Sequence, residues 1–445
     1  MAMNAVVAQS GGPTAVINNS VRGIVEALAT SGRMGSVYGA RMGILGVLRN
    51  ELIDLTAQDP RQIGLLAETP SAGSIGSCRY KLASKEAGGI NREDYDRIIE
   101  VFRAHDVGAF FYIGGNDSMD TANRVAALAR DAGLDLQAIG VAKTVDNDVG
   151  GGLQEDGTFA LCDHNPGYGS VARYWALNVL EANEENKASY TSDPVLIMQA
   201  MGRKIGFITA AARLGDPDRR MPLLILMPEA LSKDDAQGNL DFIAEGVNSV
   251  LREAGRCMVV LTEGANVGDV GVLRDSFGHA QFSASQTTAA HLLMNYLNGS
   301  DRRDAEGRSK SRLVVPGIAR ADVPGTMQRR DIGRASSVDL AEACGVGRHA
   351  AGLALQGRSG VMATILRKPG DAYTVEYGDV ALDLVANAER TFPAEWIAES
   401  RTDVTDGFTA WAAPLIGDPL PEFARFEPTT APRAGLADYV PQGLR

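Results

Sequence analysis

The run Lys143-Thr144-Val145-Asp146-Asn147-Asp148 places an ammonium group, a hydroxyl and two carboxylates on one short stretch of chain. It follows Ala138-Ile139-Gly140-Val141-Ala142, an apolar run that reads as a strand. The polar groups therefore stand at a strand's carboxyl end, where α/β proteins place their ligands. One carboxylate can take a proton from a substrate hydroxyl while the other helps hold a cation. The lysine can neutralise a phosphoryl group between them. Taken alone, the run can also be a plain polar turn after a strand. The rest of the chain weighs against that.

Three further turns of the same kind follow strand-like runs and precede helical ones: Gly11-Gly12 after Ala5–Ala8, Gly114-Gly115 after Phe110–Ile113, and Gly202 after Val195–Met198. Glycine lets backbone amides approach a phosphate, and the next helix start adds roughly half a positive charge. One such turn is equally well explained by tight strand–helix packing. Several in one chain favour a phosphoryl-transfer cleft. None matches the dinucleotide fingerprint or the Walker lysine motif. Arg79 can serve as a further phosphate clamp, although a lone arginine is more often a surface charge.

The elements that must position these groups alternate between strand-like and helix-like patterns. Helices are expected over about Val16–Leu28, from 116 to Arg130, from 203 to Arg213 and over Phe242–Ala254, with further strands at Leu223–Met227 and Cys257–Leu261. Such alternation predicts an α/β protein with parallel sheets covered on both faces. The series breaks near Gly150-Gly151-Gly152. Residues 298–312 read as an exposed polar loop. The Pro- and Ala-rich stretch from about Glu422 is expected to wrap the body or a neighbour.

Composition narrows the function classes. The 445 residues suffice for two or three domains, and 45% apolar with 22% charged residues is ordinary for a soluble globular protein. A net charge of −12 argues against nucleic-acid or anionic-membrane partners, and it requires positive charge to be concentrated at any phosphate site. The longest apolar runs are strand-sized, too short to span a bilayer. Cys78, Cys162, Cys257 and Cys344 are scattered and read as reduced structural thiols in a cytoplasmic protein. His105, His164, His279, His291 and His349 show no metal-binding spacing, and His164 reads as part of a helix-start turn. Glu263, at a strand end, reads more readily as a solvated carboxylate than as a site residue.

The order of these pieces resembles the phosphofructokinase family over about residues 5–350. The matching elements are Ser10-Gly11-Gly12, Gly76-Ser77-Cys78-Arg79, Gly114-Gly115-Asn116-Asp117-Ser118, Lys143–Asp148, Met201-Gly202-Arg203, Pro228-Glu229 and Gly325-Thr326-Met327-Gln328-Arg329. The resemblance implies two Rossmann-like parallel-sheet domains with the active site in the cleft between them. On it, residues 1–155 with about 328–385 would bind the donor phosphate. Residues 156–327 with about 386–420 would bind the sugar phosphate, leaving 421–445 as a tail. Asp146 would be the general base for transfer to the 1-hydroxyl of fructose 6-phosphate. Thr144, Met201, Gly202, Arg203, Glu229, Thr326 and Arg329 would bind the acceptor; Gly12, Arg79 and Asn116 would bind the donor; and Asn116 and Asp148 would hold Mg²⁺. A homodimer or homotetramer is expected.

The donor follows from two positions. ATP-using members of the family carry glycine where this chain has Asp117 and Lys143. A carboxylate at 117, in a partly desolvated cleft, would repel a nucleotide's α-phosphate by several kcal/mol. Lys143 would neutralise a small, highly charged donor. Asp117 and Lys143 together resemble the pyrophosphate-dependent branch. Two features depart from the family pattern. Asn116 stands where many members have a metal-binding aspartate, which shifts metal binding toward Asp148. Asp193-Pro194-Val195 lacks the arginine that simpler bacterial members extend into a neighbouring subunit's site. The alternatives fit less well. An ATP-dependent enzyme lacks its glycines, a non-catalytic subunit would have lost Asp146, and a dehydrogenase would need a GxGxxG turn after the first strand.

Overall fold

A computed structural model of the chain describes residues 3–82, 92–274, 280–370, 372–386 and 389–426, with 431, 435 and 437–442. His279 lies outside the described residues, as does part of the stretch after Glu422. The apolar runs become strands in chain order: β1 (Asn4–Ser10), β2 (Val37–Ala40), β3 (Leu52–Asp54), β4 (Ser77–Cys78), β5 (Val107–Gly114), β6 (Gln137–Ala142), β7 (Val195–Ala200), β8 (Leu223–Leu226) and β9 (Cys257–Thr262). A small antiparallel pair, β10 (Leu273–Arg274) and β11 (Ala280–Gln281), is followed by β12 (Ala319–Asp322), β13 (Val361–Arg367) and β14 (Val375–Ala381).

Two sheets result. The larger runs β14-β13-β6-β5-β1-β2-β3, with β4 against β1. It is parallel except at its two edges, where β3 and β14 pair antiparallel with their neighbours. The smaller, β12-β7-β9-β8, is parallel throughout. Strand residues alternate between the faces of the larger sheet. Val6, Phe110 and Ala138 pack with the helix Arg92–Ala104 on one side. Val7, Phe111 and Ile139 pack with Ile17–Ser31 and Ser337–Leu355 on the other. Burial on both faces is why these strands are continuously apolar rather than alternating.

The chain returns twice to what it built early. β13 and β14 extend the larger sheet at β6. An aromatic cluster then joins Phe159, Tyr168 and Phe207 to Phe392, Trp396, Phe408 and Trp411. The helix expected from 203 to Arg213 is shorter, Phe207–Ala210 followed by a 3₁₀ turn Ala211–Gly215. Arg213 is buried there between Asp216 and Asp403, a tertiary constraint that overrides local helix preference. The described part of the stretch after Glu422 is exposed, Phe426 at 95%, and does not wrap the body.

His164 precedes the helix Tyr168–Ser189, as a helix-start turn should, yet it is fully buried. Its ring nitrogens face Asp163 at 2.8 Å and Glu342 at 2.7 Å. Burial opposes the charge, but the two carboxylates outweigh it and raise the histidine's pKa to about 10. It ties the turn before that helix to the helix Ser337–Leu355.

Candidate active site

The carboxyl ends of β1, β5, β6 and β7 open on one cleft of about 510 Å³. At the end of β1, Gly11 N–H donates to the Cys78 carbonyl and Ser77 Oγ donates to the Gly11 carbonyl, both at 2.8 Å. These bonds bring Arg79 over the first glycine turn. Gly12 cannot be replaced without movement: a Cβ there would stand 2.9 Å from Arg329 Nη1 and 3.5 Å from Arg79 Nη2. The missing side chain is the space into which both guanidinium groups close.

β6 ends at Lys143, whose backbone N–H donates to the Gly114 carbonyl and whose Nζ donates to the Gly12 carbonyl at 2.6 Å. The ammonium is 3% exposed. Burial, with the nearby charges of Arg329 and Arg79, lowers its pKa to about 8. Asp146 is deep in the same wall. Burial, and then the negative charge of Asp148, raise its pKa to about 7, although Arg203, Lys143 and Arg329 pull the other way. Asp148 is raised too, chiefly by burial. Two neighbouring carboxylates of this kind titrate as a pair.

The loop between them is set by hydrogen bonds rather than packing. Thr144 Oγ1 accepts from the Asp146 N–H at 3.1 Å. Asn147 takes the left-handed conformation (φ 58°), and its Oδ1 accepts from Asn165 N–H. Asn165 in turn holds both the N–H and the C=O of Val149.

Asn116 begins the helix Asn116–Asp131 and donates weakly to the Asp148 carbonyl at 3.4 Å. Asn116 Oδ1 and Asp148 Oδ1 are both buried without a hydrogen-bond partner. An orphaned buried oxygen costs stability unless a cation or donor meets it. Two such oxygens on neighbouring residues suit a hard cation such as Mg²⁺, which takes one or two protein oxygens and fills the rest of its shell with water and phosphate. Among the described residues no group of three or more His, Cys, Asp or Glu could hold a metal alone.

Of the residues expected at the site, Gly12, Arg79, Asn116, Asp117, Lys143, Thr144, Asp146, Asp148, Met201, Arg203, Thr326 and Arg329 line this cleft. Gly202 and Glu229 are not in its lining. Glu229 Oε1 instead accepts from the Gly206 N–H at 3.0 Å, and burial raises its pKa to about 7. Glu263, expected in solvent, lines the cleft; burial and the charge of Asp146 raise it to about 7 as well. Asp117 is less enclosed than expected. Its side chain is 68% exposed and paired with Lys81 at 2.9 Å. The cleft wall carries as many cations as carboxylates against −12 for the whole chain, so positive charge is concentrated here.

Gln328 was not anticipated. Buried beside Arg329, its Oε1 accepts from Met201 N–H and from Trp175 Nε1, tying the segments that carry Met201 and Arg329 together. An uncharged side chain in a 3₁₀ turn gives no local signal of that.

Glycine turns, converging cations and a half-buried carboxylate pair in one cleft define a site built for phosphoryl transfer. The chain belongs to the phosphofructokinase family: the family model described as Phosphofructokinase matches residues 4–354. Curated relatives of this chain include proteins named pyrophosphate–fructose 6-phosphate 1-phosphotransferase. The protein from Methylococcus capsulatus is 37% identical, over 99% of this chain and 96% of its own. That from Xanthomonas campestris is 38% identical, over 94% and 92%. A solved pyrophosphate-dependent phosphofructokinase from Nitrosospira multiformis superposes with a TM-score of 0.77 at 34% identity, covering 99% of this chain and 96% of that one.

Proposed function

We propose that this chain transfers a phosphoryl group from pyrophosphate to the 1-hydroxyl of fructose 6-phosphate, reversibly, giving fructose 1,6-bisphosphate and phosphate. The observation that carries the reading is Lys143, buried on the Gly12 carbonyl opposite the Asp146–Asp148 pair, with Asp117 at the mouth. Asp146, as carboxylate, accepts the proton of the attacking hydroxyl. Lys143 and Arg79 neutralise the departing phosphate. Mg²⁺, held by Asn116 and Asp148, would supply further neutralisation of the donor's oxygens. A coupled assay offering pyrophosphate and ATP in parallel tests the reading; equal use of ATP would sink it.

We assign residues 1–155 with about 328–385 to the donor half and 156–327 with about 386–420 to the acceptor half. The placement of β13 and β14 in the larger sheet supports this division. Gly202 and Glu229 fit a supporting role behind the acceptor pocket. A cytoplasmic setting fits four buried, unpaired cysteines. No helix among the described residues is long and apolar enough to cross a membrane. The protein acts as a homodimer or homotetramer, which sedimentation would test.

Arg203 and Arg329 grip the acceptor's phosphate, since a guanidinium fork suits bidentate phosphate recognition. Replacing either with alanine should raise KM for fructose 6-phosphate by one to two orders of magnitude, about 1.4–2.8 kcal/mol of uniform binding. An unchanged KM with lost kcat would move the residue to the transferring phosphoryl group.

The pH profile should be a narrow bell. Asp146 has a raised pKa, so the base is lost as pH falls below about 7. Lys143 has a lowered pKa, so the cation is lost as pH rises above about 8. Free-enzyme groups of this kind appear in kcat/KM. Excess Mg²⁺ should move the acid limb lower, because a nearby cation favours the carboxylate. A profile flat from about pH 6 to pH 9 would count against both roles.

A further inference from the structure

Arg390 reaches the loop of Asp146 and Asp148 from the far end of the chain. It is 3% exposed. Its Nε donates to the Gly151 carbonyl at 3.1 Å, Nη1 to the Asp163 carbonyl at 2.8 Å, and Nη2 to the Cys162 carbonyl. Its own backbone N–H donates to the Asp148 carbonyl at 2.8 Å. The guanidinium lies 4.3 Å from the centre of the Phe159 ring. These partners are main-chain carbonyls, so the planar fork is used for its shape rather than to pair a carboxylate.

The fit is close. Gly150 has φ +133°, a conformation few side chains adopt, and a Cβ there would stand 2.4 Å from Arg390 Nη2. The backbone is thus gripped at 148 and 151 by Arg390 and at 149 by Asn165. Asp148 Oδ1, on the same loop, is buried without a hydrogen-bond partner, as is Oδ1 of the neighbouring Asn116.

We propose that Arg390 is a positioning residue for phosphoryl transfer: by fixing the Asp148–Gly151 backbone it presents the free oxygen of Asp148, beside that of Asn116, to the donor's cation. This rests on the reading of Asp148 given above. Arg390 touches neither substrate nor reacting atom. Its main-chain N–H holds the Asp148 carbonyl, and its guanidinium, the part that Arg390→Lys changes, acts through the Gly151 carbonyl and the turn that follows.

The test is Arg390→Lys, which keeps the charge and loses the fork. Mn²⁺ binding is read by electron paramagnetic resonance with methylenediphosphonate as an unreactive donor, alongside steady-state kinetics. Partners that orient a metal ligand typically matter by about 10–100-fold, so Mn²⁺ affinity and kcat should each fall by that factor. KM for fructose 6-phosphate should stay within about twofold, because the acceptor's arginines are untouched. A purely structural role would lower thermal stability and leave Mn²⁺ affinity as in the wild type; that result overturns the proposal. If Arg390→Lys does not fold, Gly150→Ala carries the test. It keeps every donor but crowds the guanidinium and strains the turn at φ +133°, and it must weaken Mn²⁺ in the same direction or the proposal fails. Asp148→Asn separates the two claims. If it binds Mn²⁺ as the wild type does, the reading of Asp148 is wrong, whatever Arg390 does.

Discussion

Asp146→Ser should lower kcat by about 10²–10⁴-fold, the range that general-base catalysis contributes, with KM for fructose 6-phosphate nearly unchanged. In the proposed reaction Asp146 is the carboxylate that removes the proton. Its pKa of about 7 is poised between holding and releasing one near neutral pH. Serine is smaller and cannot accept the proton, but the arginines proposed to grip the acceptor stay where they are. Retention of more than about a tenth of kcat, a loss of only ~1.4 kcal/mol, would remove Asp146 from that role. Loss of fructose 6-phosphate affinity with kcat intact would make it a binding group instead.

Lys143→Gly should cost pyrophosphate turnover about 10²–10³-fold, as losing a charge-stabilising donor does in a water-poor site. The ammonium is buried against the Gly12 carbonyl, where the proposed reaction develops the donor's charge. Asp117→Gly should admit ATP while impairing pyrophosphate. Its effect should be the smaller of the two, because Asp117 is largely exposed and already paired with Lys81, so solvent and that lysine screen its repulsion. The measurement is the ratio of kcat/KM for ATP to that for pyrophosphate in wild type, each variant and the double variant. Neighbouring sites need not add. An Asp117→Gly protein with an unaltered ratio would leave pyrophosphate as donor but remove this carboxylate as the reason.

Much of the site was legible because its chemistry is local. Apolar runs ending in glycine turns marked β1, β5 and β6, and the Lys143–Asp148 run lies at a strand end because strand periodicity stops at Ala142. Residue types at fixed spacing also carried the donor argument, since a carboxylate at 117 and a cation at 143 have charge and volume wherever the chain goes. What failed was context. Glu263 looked solvated because a single carboxylate shows its burial only once the cleft wall closes around it. His164 does stand in the helix-start turn it reads as, but its burial between two carboxylates could not be seen because Glu342 arrives 178 residues later in the chain. The shortened helix near Arg213 answers to Asp403, also distant.

The sequence alone determined the alternating architecture, the glycine turns and the groups able to move a phosphoryl unit, because each depends on neighbours within a turn of chain. The tertiary structure alone decided which of those groups are buried and held. Lys81 screens Asp117, Gln328 ties Met201 to its own turn, and Arg390 grips a loop 239 residues away from it. Such contacts set pKa values and loop geometry through desolvation and fixed hydrogen bonds, and both arise only when distant segments exclude water together.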